Sequence, residues 1–302
     1  MIITSILYLI YCGLLTINAP LPYDSLWGHS LLKDGLLLQV IIILIIIARP
    51  QIKKDYLLLI LIFLIISGIF NLRIFDHKGT HAGAILILSV YFNSLELELI
   101  SLIPLLLIGN RSALIGLIPS MNNFRFKYWI YLIIFITVIL ISTSKQVFNA
   151  PDKSLINMIS SGRIGAYQIA INGIIKNPLG YGFLGYRSAF TSNLKSEYLL
   201  LSSGHYETFG RKGKIKKIPI PYSKSHNLIL DKLLDIGIPG TLLWFNLIRL
   251  NLNADNKRLI LSYFIFTFFW YESFIFTILF WVLVVQDFNY YGRIYLMKFK
   301  DN

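Results

Sequence analysis

The sequence predicts an all-α polytopic membrane protein of about eight to ten transmembrane helices, with one large extracytoplasmic loop that contains short helices. Three observations carry that expectation. Of 302 residues 56% are hydrophobic and only 14% charged, with a mean hydropathy of +0.65, where soluble domains carry about a quarter charged residues. The charges are gathered into short clusters between apolar runs. A single long polar stretch, 143–225, interrupts the pattern.

In chain order the apolar runs predict helices at about 2–17, 33–48, 56–70, 82–95, 97–109, 112–124, 128–143, 226–250, 259–271 and 273–287. The runs 82–95, 97–109 and 112–124 are short for a bilayer that asks for about 20 residues, which sets the range of eight to ten. The first run lacks a basic segment ahead of it, and Pro20 follows Ala19 where a leader would be cut, so it reads as an uncleaved helix. Within the polar stretch, 156–175 has helical spacing, Asn177-Pro178 stops it, and Gly180, Gly182 and Gly185 make a flexible turn before a second, less periodic piece. Residues 204–224, rich in Gly and Lys, read as a mobile flap. The organisation is therefore 1–143 as N-terminal transmembrane helices, 144–225 as the loop, and 226–302 as C-terminal transmembrane helices with a cytoplasmic tail.

Charge orients this layout. With the amino terminus inside, the inner segments hold eleven basic residues, among them Arg49, Lys53, Lys54, Lys257 and Arg258. The short outer loops hold three, Lys33, Arg73 and Lys78. The long loop then faces outward. It carries twelve Lys or Arg against Asp152, Glu197 and Glu207, so +9 of the net +13 resides there. Such a basic segment expects an anionic partner: lipid headgroups, phosphates or an acidic polymer. One cysteine, Cys12, excludes an intrachain disulfide framework and a cysteine metal cluster.

Phosphate-binding loops of the Gly-Lys-Ser/Thr type, zinc-protease histidine pairs and serine elbows are missing, so chemistry falls to arginines and histidines. Arg111 interrupts an apolar stretch at an outer helix end, where snorkelling to the interface is the plainer role. Arg163 follows Ser161-Gly162 in the loop and, taken alone, reads as a solvated charge. His226 opens the helix after the loop, where a neutral imidazole can accept a proton while substrate still reaches it. Asp231 and Asp235 lie one turn apart on that helix and suggest a polar interior face, or solvation by the loop. In Asp76-His77-Lys78-Gly79-Thr80-His81 two histidines stand four apart, but Gly79 argues against the helix that spacing needs, and no metal is assigned.

Together these residues resemble the O-antigen ligase and O-antigen (capsular polysaccharide) polymerase family of bacterial surface-polysaccharide assembly, over residues 88–250. Asn110-Arg111-Ser112-Ala113-Leu114 is similar to its arginine motif. Ser161-Gly162-Arg163 with Tyr167, and Asn177-Pro178-Leu179-Gly180-Tyr181-Gly182, are similar to its outer loop. His226-Asn227, nine residues, Gly237, two residues and Gly240 match its histidine pattern. Tyr167 stands where the family usually has tryptophan, and most members have more or longer spans ahead of the arginine motif.

The resemblance implies a metal-independent, inverting glycosyltransferase on the outer face of the bacterial cytoplasmic membrane, multi-pass and without a cofactor. Its donor would be an undecaprenyl diphosphate-linked glycan and its acceptor a glycan or lipid A core; it would contact membrane lipids and no nucleic acid. His226 would be the base. Arg111 and Arg163 would clamp the donor diphosphate, a bidentate task suited to guanidinium. Arg187, Tyr167 and Asn227 would contact substrate, and Lys216 and Lys217 an acidic sugar or headgroup. The short loop leans toward polymerase rather than ligase. The rival readings are a transporter or flippase of an anionic lipid-linked glycan or solute, and a structural partner in an assembly complex.

Overall fold

The computed structural model describes residues 1–29, 33–70, 72, 75, 78–120, 163–194, 198–201, 205–209, 215–220, 224–253, 256–270 and 273–286. Among them are twelve α-helices. Seven precede the polar stretch: α1 (Ile2–Ile17), α2 (Pro22–Trp27), α3 (Leu36–Ala48), α4 (Lys54–Ile69), α5 (Lys78–Phe92), α6 (Leu95–Ile108) and α7 (Arg111–Gly116), followed by a 3-10 turn at Ile118–Ser120. Then come α8 (Arg163–Lys176), α9 (Gly185–Ser192), three strands, α10 (Leu228–Asn251), α11 (Lys257–Phe268) and α12 (Phe274–Val285).

The expected membrane architecture is overturned. Among the described residues no helix is long and apolar enough to cross a membrane. The bundle helices α1, α3 to α6, α11 and α12 run 12 to 16 residues, about 18–24 Å at 1.5 Å per residue, against a hydrocarbon core of about 30 Å. The one longer helix, α10, has 24 residues but holds Asp231, Lys232 and Asp235 and breaks at Gly237. The helix expected at 128–143, the start of that expected at 156–175, and the tail lie outside the described residues.

Where an apolar run was expected to meet lipid, much of it meets protein. From Gly79 to Tyr91 every residue of α5 is buried. A helix apolar all round belongs in the middle, and α4, α6, α11 and α12 surround this one. Gly79 sits inside its first turn, contrary to expectation, because the Trp270 ring fills the space a side chain would take: a Cβ would lie 2.1 Å from that ring. Three helix starts are set by side-chain caps. Ser94 accepts from Leu97 N–H, with Glu96 and Glu98 complementing the helix dipole in the first turn of α6. Asn110 caps α7 and Asn227 caps α10. Other apolar side chains stay outside, as on α1 (Ile3, Ile10, Leu14, Ile17) and α4 (Leu59, Phe63).

The polar stretch is not wholly helical either. β1 (Tyr198–Leu201), β2 (His205–Phe209) and β3 (Ile215–Pro219) form an antiparallel sheet in that order, with Leu201 opposite His205 and Phe209 opposite Ile215. The expected flap thus contains a hairpin, β2 to β3, whose Tyr206 is buried and whose ring lies 6.0 Å from Phe190 of α9. A small second core of Ala166, Ala170, Tyr186, Ala189 and Leu234 binds α8 and α9 to α10.

Candidate functional site

The site gathers at one end of the bundle, where α10 begins. Asn227 shapes that start: its Oδ1 accepts from the N–H groups of Ile229 and Leu230 at 3.0 and 3.1 Å, meeting donors that a helix terminus otherwise leaves open. Asn227, expected to contact substrate, thus caps the helix with its side-chain oxygen. Just before it, His226 adopts a left-handed backbone, φ 62°. Strain of this kind in a non-glycine residue persists only where neighbours enforce it.

The half-buried imidazole of His226 meets the edge of Trp270, ring centroids 5.9 Å apart. Over that same indole lies the Arg163 guanidinium, 5.8 Å from the ring centroid, and its Nη1 donates to the Phe269 carbonyl at 2.8 Å. Tyr167, one turn further along α8, is half-buried. Burial pushes its phenol up, Arg163 opposes that, and Asp231 adds to it. Three residues expected to act together, His226, Arg163 and Tyr167, are thus brought together, and Trp270 is the unexpected member between them.

Below them lies a charged cluster. The Lys224 ammonium, buried, stands 2.9 Å from Asp34 Oδ2 and 2.9 Å from Asp235 Oδ2. Burial works against its charge, yet Asp235 and Asp34 hold it well above the usual ammonium value. Burial would likewise raise Asp34, but Lys224 outweighs it and holds that carboxyl below its ordinary range. Asp235 accepts from Gly185 N–H at 2.7 Å, and burial leaves its carboxyl raised. Asp231 accepts from Ser225 N–H at 2.7 Å. Burial pushes it up to about 7, only partly opposed by Lys224.

The paired glycines have a structural job. At Gly237, φ 63° and ψ −175°, α10 breaks. The interruption opens Leu234 C=O and Ile238 N–H, and the turn after Asn177 closes both: Tyr181 N–H donates to Leu234 O and Ile238 N–H to Pro178 O, each at 2.8 Å. The contact needs bare backbone on both sides. A Cβ at Gly180 would lie 2.5 Å from Gly237 N, and one at Gly237 2.2 Å from the Leu179 carbonyl carbon. Gly240 leaves room for Tyr11. Two motifs some 60 residues apart in the chain are therefore halves of one joint.

The remaining candidates scatter. Arg111 opens α7 behind its Asn110 cap, and its side chain lies outside the described residues. Arg187 is buried and ion-paired with Asp24 at 3.3 Å, beside a shallow cleft lined also by Leu21, Tyr181 and Phe183. The pair ties α9 to α2. Lys216 and Lys217 are exposed on β3, the latter opposite Glu207. His77 lies outside the described residues. His81 is buried, with Nε2 3.0 Å from Ser67 Oγ and 2.9 Å from Leu64 O. No group of three or more metal-binding side chains occurs among the described residues.

Sequence reasoning missed Lys224, Asp34 and Trp270. The signal for the first was available: Asp231 and Asp235 on an otherwise apolar helix demand a cation, and Lys224 is the nearest one upstream of the helix. Against known proteins, no family model, no curated protein and no solved structure matches this chain.

Proposed function

We propose that this chain transfers a glycan from a polyprenyl diphosphate carrier to an acceptor hydroxyl, without a metal and with inversion. The observation that carries this reading is the convergence of His226 and Arg163 on one indole. A proton acceptor and a guanidinium, 63 residues apart in sequence, stand on a shared platform, and all three side chains are half-buried. The acceptor oxygen attacks the anomeric carbon, its proton passes to the His226 imidazole, and the bond from that carbon to the diphosphate oxygen breaks on the opposite side. Arg163 neutralises the charge that grows on the departing diphosphate, the stabilisation that transition-state charge calls for. Its Nη1 bond to Phe269 uses one of five guanidinium N–H donors.

The surroundings suit an amphiphilic donor. Phe268 and Phe269, beside Arg163, are 47% and 36% exposed. An isoprenoid can lie along these rings while its diphosphate reaches the arginine. The acceptor in this reading is a second carrier-linked repeat, as in a polymerase.

The test is incubation of the purified full chain with a synthetic polyprenyl diphosphate oligosaccharide in the presence of a chelator. Longer glycans and released polyprenyl diphosphate are expected, and Arg163→Lys should lose at least about tenfold because an ammonium cannot copy the planar fork. Transfer only to lipid A core would reassign the acceptor. No transfer to either, or transfer abolished by chelation and restored by a divalent ion, would end the proposal.

A further inference from the structure

The strained backbone at His226 is held from both sides, by a Ser225–Asn227 hydrogen-bond pair and by buried ionisable groups. Ser225 is fully buried. Its N–H is on Asp231 Oδ1 at 2.7 Å, and its hydroxyl both donates to Asn227 O at 3.1 Å and accepts Asn227 N–H at 3.2 Å. Lys224 is fixed between Asp34, from the segment before α3, and Asp235 of α10. Asp34 is itself tied by Oδ1 to His29 N–H at 2.9 Å. Of the four residues 224–227, three are buried and His226 alone is half-exposed, turned toward Trp270.

A buried lysine between two carboxylates is a poor way to gain stability, since well-packed apolar residues of similar volume do as well or better. What it provides is a fixed position. The ammonium can satisfy both carboxylates at 2.9 Å in only a narrow range of placements of residue 224, and residue 226 follows two peptide units later.

We infer that Lys224, with Asp34 and Asp235, is a clasp that sets the orientation of the His226 imidazole, making Lys224 and Asp34 positioning residues for proton transfer. Neither touches the reacting atoms. The clasp also joins the segment before α3 to the site, 190 residues away in sequence. The inference rests on the proposed role of His226, and its structural half can be tested without substrate.

The experiment compares the full chain with Lys224→Met and Asp34→Asn, and with Arg49→Gln as a control at the opposite end of the bundle, where Arg49 meets Asn251. The first readout is the rate at which diethyl pyrocarbonate modifies His226, followed by mass spectrometry of its peptide. The second is kcat and donor KM in the transfer assay. Both clasp variants should change the His226 modification rate severalfold and lower kcat by about tenfold or more, with donor KM within about twofold, because an orienting group acts on turnover rather than on donor binding. Arg49→Gln should match wild type in both.

If Lys224→Met does not fold, as judged by circular dichroism, Asp34→Asn decides alone, since it leaves Asp235 on the ammonium. An unchanged His226 modification rate in the folded variants would overturn the clasp. A wild type without transfer would instead defeat the proposed function, while the labelling result still decides the clasp.

Discussion

The two ends of the bundle are closed by different chemistry. At the end bearing Arg49, Asn251 and Gln286 the ties are mostly neutral: Asn256 Nδ2 donates to Asn251 O at 2.7 Å and Val284 O at 2.9 Å, and Gln286 Nε2 donates to Ile52 O at 2.5 Å. At the other end lie all the ion pairs found among the described residues, Lys224 with Asp34 and Asp235, and Arg187 with Asp24. Neutral amides close helices with little desolvation cost. Buried charges do so at much greater cost and leave a strong field behind. An end that only needed closing had the first solution available, so the charged end points to a task beyond stability.

The comparison breaks if the charged end is no more fragile than the neutral one. Lys224→Met leaves Asp34, Asp231 and Asp235 buried together and should cost about 3–5 kcal/mol in denaturant unfolding. Gly237→Ala should cost about 3 kcal/mol, since its φ of 63° with ψ −175° is a glycine conformation and the new methyl meets the Leu179 carbonyl carbon. Asn256→Ala, at the neutral end, removes three hydrogen bonds, two donated by Nδ2 and one accepted by Oδ1 from Asn253 N–H, and should cost about 2–3 kcal/mol. Equal losses for Lys224→Met and Asn256→Ala would remove the distinction.

A smaller effect sharpens it through pH. Asp231 stays protonated in the folded chain up to about 7, whereas its ordinary value is 3.8. Between those values the folded state binds more protons than the unfolded one. Its contribution to stability is therefore fully present below the ordinary value and is lost as pH rises through about 7. Asp231→Asn cannot ionise. Over roughly pH 5 to 8 the wild type should lose thermal stability relative to this variant, and parallel curves would contradict the assignment.

How much of this was legible in sequence depends on where the partners lie. The first helix was expected at 2–17 and is found at Ile2–Ile17; α10 was expected at 226–250 and begins two residues later, behind the Asn227 cap. Apolar periodicity is local, so it places helices well. It does not say what covers them. The run giving α5 is apolar because neighbours surround it, and a continuous apolar run reads the same whether lipid or protein lies outside. The strands escaped because four or five residues in a Lys- and Gly-rich stretch carry too little alternation.

The site divides along the same line. His226, Arg163 and the acid pair of α10 were visible as polar residues in motifs or on an apolar helix. Asp34 was not, because nothing near it in sequence asks for a lysine 190 residues away. Trp270 was hidden among the aromatic residues of its own run, and only folding sets it between α8 and the start of α10. Arg187 and Asn227 were visible as polar residues, but neither the Asp24 contact nor the capping geometry can be read from spacing alone.

The proposed role of His226 as proton acceptor at the charged end is open to direct test. The direct measurement is the turnover of His226→Ala at saturating polyprenyl diphosphate donor, with donor affinity measured on the same preparation. Loss of a positioned base predicts a fall of about 10²–10⁴-fold with affinity retained through Arg163. Wild-type turnover in His226→Ala would contradict it.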